Sequence, residues 1–526
     1  MKMTGCPEGK RRGVRMAALR RRFFFLSVSI LFLIPCYWQP RIQAGDLSSH
    51  IYNAWLAQLI EDGRTPGLTI VHQTTNVFFD WMLSSLFRHF GPDAAQHISV
   101  SLAVLVFLWG AFAFLCAVSG RKPWHLLPCA AMLAYGWVFR MGLFNFYLSF
   151  GLCFWAMAVA WKMKPSRMVW AAPVLLLAYV AHALPVMWTA SLLVYAALAK
   201  RARPLFRFLL TLGAVAALAV IRWAIAHTMV ARWSPLQIVL ATGADQLWVF
   251  DAKYGLAFLG LLGAWGLMAT GLIRQYGLRK VAESVPFHLS LLSAACVLIL
   301  PDAVLIPGFA NVLGFIAERM SLGVAICVCA LLGMARPRVG EIWALRAVAL
   351  LFFGFLYADE RALNRFEDHM EAALSHLPAN QRVISAAEDP ESRLNPLRHM
   401  IDRTCIGRCF SYGNYEPSTA QFRIRARPGN RFVTSSYADS CALQDGGYLV
   451  QARDLPLYEM EIDSEGRVFF EELRAGVRTA KTSCRILWTL FPRPAAHWEG
   501  PVIPPDGQER ITSPLGSTPP ARNTSM

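Results

Sequence analysis

The chain has 526 residues, of which 55% are hydrophobic and only 16% are charged. In an ordinary soluble domain about a quarter of the residues are charged, whereas the apolar residues here come in long blocks, as in integral membrane proteins. Much of the basic charge behind the net value of +17 lies in short loops between these blocks, as the positive-inside rule describes. Composition and charge therefore exclude a purely soluble protein and argue against a nucleic-acid partner.

A basic segment, residues 1–22, precedes the first apolar block, Phe23–Trp38. This block is long for the core of a signal peptide and no small-residue cleavage site follows it, so we interpret it as an uncleaved first span with a cytoplasmic N-terminus. The later apolar blocks are Ile98–Val118, Trp124–Phe139, Leu143–Trp161, Met168–Ala199, Leu205–Ala226, Tyr254–Ile273, Val285–Pro301, Phe309–Ala335 and Ile342–Tyr357.

The block Met168–Ala199 is too long for one span, because a span needs about 20 apolar residues. Basic residues flank it on both sides, and both flanks therefore belong on the cytoplasmic face. Since Pro185 interrupts a helix near the middle, we predict two short helices that turn near His182. The transmembrane domain, residues 23–357, then has about eleven helices and leaves the C-terminal region outside.

Two regions are predicted on the extracytoplasmic side. In the first outer loop, residues 39–97, apolar residues recur at helical spacing in His50–Ile60 and Val77–Phe90, which predicts amphipathic helices lying flat on the outer leaflet. Residues 358–500 predict a small α+β domain. The tail, residues 501–526, is rich in Pro, Ser, Thr and Gly and is predicted to be disordered.

Within the α+β domain, the sequence predicts a helix at Ala362–Leu377 and a strand at Arg382–Ala386. A further strand is predicted at Tyr448–Ala452, and a hairpin joins Leu457–Ile462 to Arg467–Glu472. The predicted fold class is thus a polytopic α-helical membrane protein with a small C-terminal α+β domain.

Four cysteines fall in the C-terminal region: Cys405, Cys409, Cys441 and Cys484. An even number in an extracytoplasmic domain favours disulfides. Pairing Cys405 with Cys409 and Cys441 with Cys484 is one of three arrangements. A zinc site is the alternative, and the absence of a CxxC pair disfavours it.

Asp46 follows the first span closely and is placed at the outer membrane surface. There it is partly desolvated, which raises the basicity of a carboxylate and suits it to act as a general base toward a hydroxyl group. The alternative is that Asp46 caps the helix that begins at Leu47. His50 lies one helical turn further on the same face.

The stretches Gly45–Ala54 (GDLSSHIYNA) and Gly63–Gly67 (GRTPG), together with the layout of residues 20–357, resemble the GT-C superfamily of membrane glycosyltransferases. That resemblance implies a polyprenyl-phosphate-linked sugar as donor and Asp46 as catalytic base, in preference to a cap alone. It also implies a long first outer loop and a soluble C-terminal domain. The loop lacks a DxD motif, so a divalent metal is an open alternative that no motif supports, and no cofactor is assigned.

Ionisable residues inside spans are costly and often mark function. Arg319, near the outer end of its block, could bind the lipid phosphate or pair with Glu318 to fix helix packing. Further candidates for phosphate or substrate contacts are His50, Arg140 and His182. For Arg140 the alternative is a side chain that snorkels to the membrane surface. For His182 the alternative is a structural role.

The sequence thus predicts a membrane glycosyltransferase that moves a sugar to an acceptor on the extracytoplasmic face, with membrane lipids around it. A transporter or flippase of a lipid-linked or polar substrate is one alternative. A non-catalytic relative of the GT-C enzymes is another. Phosphate-loop, serine-hydrolase and zinc-protease motifs are absent from the sequence, so ATP-driven transport and zinc proteolysis lack support.

Overall fold

Long apolar helices dominate the computed structural model, which describes residues 8–162, 165–308, 312–419, 421–463 and 465–484. The helices of the first 374 residues are α1 (Glu8–Leu33), α2 (Leu47–Glu61), α3 (Phe78–Ser119), α4 (Leu127–Ala134), α5 (Trp137–Arg140), α6 (Phe144–Ala160), α7 (Pro165–Ala181), α8 (Ala183–Arg201), α9 (Pro204–Thr228), α10 (Gln237–Leu240), α11 (Tyr254–Tyr276), α12 (Leu278–Ala282), α13 (Val285–Ile299), α14 (Ile316–Leu332) and α15 (Val339–Leu374). Three short helices follow: α16 (Met400–Thr404), α17 (Tyr415–Thr419) and α18 (Tyr437–Asp445).

Among the described residues, five helices are long and apolar enough to cross a membrane: α3, α8, α9, α11 and α15. Shorter apolar helices cover Arg22–Cys36, Phe144–Ala160, Met168–Ala181 and Val285–Ile299. The predicted count of eleven spans is therefore not confirmed, although most of the predicted blocks do form apolar helices.

The predicted span Trp124–Phe139 is interrupted. Its α-helical part, α4, has eight residues and rises only about 12 Å, against about 30 Å for the hydrocarbon core. The chain breaks at Gly136, where a Cβ atom would lie 2.7 Å from the carbonyl oxygen of Gln246. The segment after α10 thus packs directly on the backbone, which periodicity in the sequence does not reveal.

The predicted turn near His182 is confirmed, since α7 ends at Ala181 and α8 begins at Ala183. The chain also reverses direction at this turn. Nζ of Lys200, at the end of α8, lies 3.5 Å from the ring centroid of Trp161, just before α7, so the far ends of the two helices are close together. The carbonyl oxygen of His182 accepts a hydrogen bond from Ser149 on α6 over 2.8 Å. The two helices therefore form a hairpin against α6.

Two helices extend beyond a single span. Helix α3 has 42 residues and kinks at Gly91, where φ is 79°, ahead of Pro92. Helix α15 has 36 residues, a length of about 54 Å, so it runs on from its apolar half into the region predicted as a separate soluble helix. Its second half carries Glu367, whose carboxylate accepts a hydrogen bond from Nε of Arg403 over 2.7 Å.

The predicted membrane-surface position of α2 is wrong. Eleven of its fifteen residues are buried on all faces, because α16 and the start of the C-terminal region cover it. The hydroxyl of Tyr52 accepts a hydrogen bond from the backbone N–H of Ser411, and Oδ1 of Asn53 accepts one from Asn414 over 3.0 Å. By contrast, Trp81 on the first half of α3 keeps an exposed ring.

The strands are short: β1 (Leu68–Ile70), β2 (Val230–Arg232), β3 (Ala303–Leu305), β4 (Arg382–Ile384), β5 (Ala387–Glu388), β6 (Phe410–Ser411), β7 (Ile424–Ala426), β8 (Leu457–Ile462), β9 (Val468–Glu472) and β10 (Thr482–Ser483). The largest sheet has the order β6-β4-β8-β9, parallel at its first two pairings and antiparallel at the last. The predicted hairpin and the strand at Arg382 are thereby confirmed. The predicted strand Tyr448–Ala452 is reduced to a single bridge between Leu449 and Arg478.

The C-terminal region packs on the first loop. Strand β7 pairs antiparallel with β1, which lies in that loop, with Thr69 opposite Arg425. In the part of the chain that the structure describes, the bundle and the C-terminal region accordingly belong to one unit. The predicted disordered tail, residues 501–526, and the first seven residues lie outside the described residues.

Candidate functional site

Asp46, the predicted base, lies just before α2, against the turn between α5 and α6. Its backbone N–H donates a hydrogen bond to the carbonyl oxygen of Met141 over 2.9 Å. Gly142 has a φ of +81°, and a Cβ atom there would lie 2.5 Å from the backbone nitrogen of Asp46. This close approach requires glycine at position 142 and fixes Asp46 relative to the start of α6.

The carboxylate of Asp46 does not cap α2. The residue has φ −69° and ψ −10°, which are already helical values, and its side chain makes no capping hydrogen bond. The side chain is 23% exposed. The cap alternative is therefore not supported, and the carboxylate is available to a ligand that approaches from the outside.

Residues of the C-terminal region surround this carboxylate. Nε2 of His399 lies 3.5 Å from Oδ1 of Asp46, and Nδ1 of the same ring lies 3.4 Å from Oδ2 of Asp402. Asp402 in turn accepts a hydrogen bond from Ser411 over 2.5 Å. The ring of Tyr415 packs on His399 with 5.2 Å between centroids. Burial raises the pKa of Tyr415 well above its usual range, and the charge of Asp46 adds to this, so its hydroxyl stays protonated.

On the bundle side, Arg319 is a cationic residue whose charge reaches the site. Its charge interacts with those of Asp46 and Glu318, and its Nε atom is buried without a hydrogen-bond partner. Its guanidinium carbon lies 6.0 Å from the ring centroid of Phe146. The same ring packs edge-on against His182 with 5.4 Å between centroids.

His182 caps α8. Its Nδ1 atom accepts a hydrogen bond from the backbone N–H of Leu184 over 3.1 Å. With its carbonyl oxygen also bonded to Ser149, the residue acts in the fold, as the structural alternative expected. His182 and Arg319 both pack against the ring of Phe146. Among the described contacts, none joins His182 to Asp46.

The predicted phosphate contact at Arg140 is corrected. Arg140 is 1% exposed and forms a buried ion pair with Glu360 on α15. Its Nη1 atom also donates a hydrogen bond to the carbonyl oxygen of Gln43 over 2.9 Å. A buried arginine that is already paired cannot reach a lipid phosphate without leaving Glu360 uncompensated, so its role is to join α5 to α15.

His50 belongs to a separate group with Asp80 and Glu416. Nδ1 of His50 lies 2.7 Å from Oδ1 of Asp80 and 3.8 Å from Oε1 of Glu416. Asn145, on the first turn of α6, donates a hydrogen bond to Oδ2 of Asp80 over 2.7 Å and accepts one from the backbone N–H of Phe79. All three titratable residues of the group are buried.

Opposing effects set the charges of this group. Burial lowers the pKa of His50, but the charge and hydrogen bond of Asp80 outweigh it and raise that pKa to about 9. Burial also raises the pKa of Glu416 well above its usual range, and the neighbouring Asp80 charge adds to this. These shifts favour a charged imidazole paired with Asp80 and the protonated form of Glu416.

A second buried arginine, Arg423, lies beside this group. It is 7% exposed, and its charge interacts with those of Asp80 and Glu416. Its Nε and Nη2 atoms are buried without hydrogen-bond partners. Together with Arg319, it gives the site two guanidinium groups with unused donors, which suits an anion.

Sequence reasoning missed His399, which precedes α16. Tyr415, Glu416 and Arg423 fall in the stretch 410–425, whose aromatic and polar side chains suit either sugar binding or a turn packed on a strand. No motif links any of the four residues to the first loop. The pairing of β7 with β1 brings Arg423, directly before β7, to the site, and the packing of α17 brings Glu416.

The cysteines among the described residues divide into one bonded pair and free thiols. Cys405 and Cys409 form a disulfide, whereas Cys441 and Cys484 are both free, so the proposed second pair is not formed. The disulfide closes the turn between α16 and β6, which separates Asp402 from Ser411.

A cavity of about 150 Å³ lies elsewhere, between the ends of α11, α13 and α14. Its lining residues are Leu272, Tyr276, Lys280, Val281, Ser284, Leu331 and Met334. None of these belongs to the groups around Asp46 or His50.

Comparison of the chain with protein-family models, with curated proteins and with solved structures found no match.

Proposed function

We propose that the protein is a membrane glycosyltransferase. It moves a sugar from a polyprenyl-phosphate donor to an acceptor hydroxyl on the extracytoplasmic face of a bacterial inner membrane. Asp46 is the general base and Arg319 holds the phosphate.

The observation that carries the proposal is the state of the Asp46 carboxylate. It is partly exposed, makes no capping bond, has Nε2 of His399 at 3.5 Å and interacts with the charge of Arg319. The side chain of a structural aspartate at the start of a helix ordinarily accepts hydrogen bonds from the first backbone N–H groups of that helix. This one is instead oriented by groups from two distant parts of the chain, as a catalytic carboxylate needs to be.

The chemistry needs a base and an anion site near each other. Asp46 accepts the proton of the acceptor hydroxyl. The oxygen of that hydroxyl forms a bond to the anomeric carbon of the donor sugar. The bond between that carbon and the phosphate oxygen breaks, and the polyprenyl phosphate leaves with the electron pair. Arg319 and Arg423, whose guanidinium groups have unpaired donors, stabilise the leaving phosphate by charge-assisted hydrogen bonds.

Asp46→Asn tests the proposal in cells that carry the protein in their membrane. The change keeps the size of the side chain and removes its basicity, so we expect at least a hundredfold loss of the glycosylated product in envelope glycan and lipid analysis. Asp62→Asn is the matched control, because Asp62 is exposed at the other end of α2.

Equal amounts of product from Asp46→Asn and from the unchanged protein, at equal levels in the membrane, would refute the assignment of the base. If deletion of the whole chain leaves envelope glycans unchanged but alters uptake or export of a polar or lipid-linked compound, the transporter alternative replaces the proposal.

A further inference from the structure

The group formed by His50, Asp80 and Glu416 has a composition and shape that the transfer chemistry of Asp46 does not require. One residue comes from α2, one from the start of α3 and one from α17. Their ligand atoms, one imidazole nitrogen and two carboxylate oxygens, all lie within 4.8 Å of one another. Three distant segments thus bring metal-ligating atoms together in a buried place.

The distances between these atoms fit a common metal. A tetrahedral zinc ion with ligands at about 2.0–2.1 Å places neighbouring ligand atoms about 3.3 Å apart. The separations of 2.7 Å from His50 to Asp80 and 3.8 Å from His50 to Glu416 lie on either side of that value. The third separation, between Asp80 and Glu416, is within 4.8 Å as well.

Glu416 supplies an independent reason to expect a ligand. The residue is 3% exposed, and in the described part of the chain its nearest cationic partner, Nδ1 of His50, is 3.8 Å from the carboxylate, beyond hydrogen-bond distance. Buried carboxyl groups are normally hydrogen-bonded, because an unpaired one carries a desolvation penalty. A cation bound between Glu416 and Asp80 removes that penalty.

Neighbouring residues hold two of the three ligands in place. Asn145 fixes Asp80 through the hydrogen bond to Oδ2, so that Oδ1 stays directed at Nδ1 of His50, 2.7 Å away. The ring of His50 packs edge-on against Phe79 with 5.8 Å between centroids. Support of this kind is characteristic of metal sites, where hydrogen bonds orient the ligating carboxylates and packing fixes the ring planes.

We propose that His50, Asp80 and Glu416 bind one divalent transition-metal cation, Mn²⁺ or Zn²⁺, beside the Asp46 site. The mixed nitrogen and oxygen donor set favours these ions over Ca²⁺ and Mg²⁺, which prefer oxygen ligands alone. With three protein ligands the ion keeps at least one open position.

The charges of the surroundings suggest what occupies the open position. Two carboxylates and a neutral imidazole balance the double charge of the ion, and Arg423 then adds a positive charge next to it. The combined site therefore attracts an anion, and an oxygen of the donor phosphate is the ligand expected there. This last step rests on the proposed glycosyl transfer, whereas the metal site itself does not.

Direct binding tests the proposal without any transfer assay. The full chain is purified in detergent with a tag that contains no histidine, treated with a chelator, and titrated with Mn²⁺, which thiolates such as those of Cys441 and Cys484 bind poorly. Free Mn²⁺ is measured by electron paramagnetic resonance. We expect one equivalent to bind, and Zn²⁺ to compete for it.

The variants Glu416→Gln and His50→Gln each remove one ligand with little change in shape, and we expect at least tenfold weaker Mn²⁺ binding in both. Glu459→Gln is the matched control, since Glu459 is a buried carboxylate on β8, and it should bind as the unchanged protein does. Asp46→Asn should lose transfer but keep Mn²⁺ binding, so a failure of the metal site and a failure of the proposed function are distinguishable.

No saturable Mn²⁺ binding to the unchanged protein would overturn the proposal and leave the group as an internal ion pair. So would Glu416→Gln binding with unaltered affinity and stoichiometry. If either variant is poorly folded, melting in detergent reveals it, and the comparison then rests on the other variant.

Discussion

Nε2 of His399 lies 3.5 Å from Oδ1 of Asp46, although one residue follows the first apolar block and the other follows the last. The imidazole stands between two carboxylates, since its other nitrogen lies 3.4 Å from Asp402. The C-terminal region thus completes the surroundings of Asp46, and it does so through a side chain that lies beside a second acid.

This relationship predicts the effect of removing the imidazole. His399→Ala should lower the rate of transfer about tenfold, because the Asp46 carboxylate remains but loses the imidazole that faces and orients it. The rate at saturating donor should fall more than the affinity for the donor. His376→Ala, at an exposed histidine after α15, is the control, and equal rates for the two variants would contradict the role given to His399.

A second prediction concerns the backbone that positions Asp46. Gly142→Ala introduces a Cβ atom 2.5 Å from the nitrogen of Asp46 at a φ of +81°, so both the strain of a left-handed residue and a displacement of Asp46 follow. Gly63→Ala has similar strain, with a φ of +71°, but open space around the new atom.

Both glycine variants should have a lower melting temperature in detergent than the unchanged protein. The decrease should be similar in the two, because each places an alanine at a positive φ. Only Gly142→Ala should also lose most of its transfer activity. If Gly63→Ala is equally inactive, strain and not the position of Asp46 explains the loss.

Some features of the fold and of the Asp46 site could be predicted from the sequence, and others could not. The reversal at His182 could be predicted because basic residues flank Met168–Ala199 on both sides. The position of Asp46 at the start of a helix after the first apolar block follows from local pattern in the same way. Both features depend on residues near each other in the chain.

The rest depends on contacts between distant segments. Helix α2 looks amphipathic, but it is buried because the C-terminal region packs over its polar face, with Asn53 bonded to Asn414. Glu416 and Arg423 reach the site only through packing of α17 and pairing of β7, neither of which leaves a local pattern. The break at Gly136 is likewise set by the distant Gln246.

The two arginines first proposed to bind phosphate should behave differently. Arg140→Met leaves Glu360 buried without its partner, which costs about 3–5 kcal/mol, so this variant should unfold at a clearly lower temperature. The double variant with Glu360→Met should recover part of the loss. Arg319→Gln should melt close to the unchanged protein and instead bind the donor more weakly.

Melting curves in detergent and donor titrations provide the comparison. Normal melting of Arg140→Met would contradict its assignment to the fold. Unaltered donor affinity in Arg319→Gln would contradict the phosphate role.

The C-terminal sheet has its own dependence on pH. Burial raises the pKa of Glu459 on β8 to about 7, although the backbone N–H of Ala480 opposes this. The unfolded chain gives up this proton near pH 4, so the folded state binds more protons between about pH 4 and 7, and stability falls as pH rises through that window.

The melting temperature of the unchanged protein should accordingly decline between pH 5 and pH 7.5. The decline should be smaller in Glu459→Gln, which cannot lose a proton. If the melting temperature of Glu459→Gln falls with pH as much as that of the unchanged protein, or more, then Glu459 does not cause the decline.

The central claim is that Asp46 acts as the base of a glycosyl transfer, and transfer by the purified protein tests it most directly. The protein is reconstituted in lipid nanodiscs with polyprenyl-phosphate sugars, and release of polyprenyl phosphate is followed in the presence of envelope extract as the source of acceptor. The account predicts release by the unchanged protein and by Asp62→Asn, and a rate at least a hundredfold lower for Asp46→Asn. Release at the same rate from Asp46→Asn, or no release from the unchanged protein with any such donor, would contradict it.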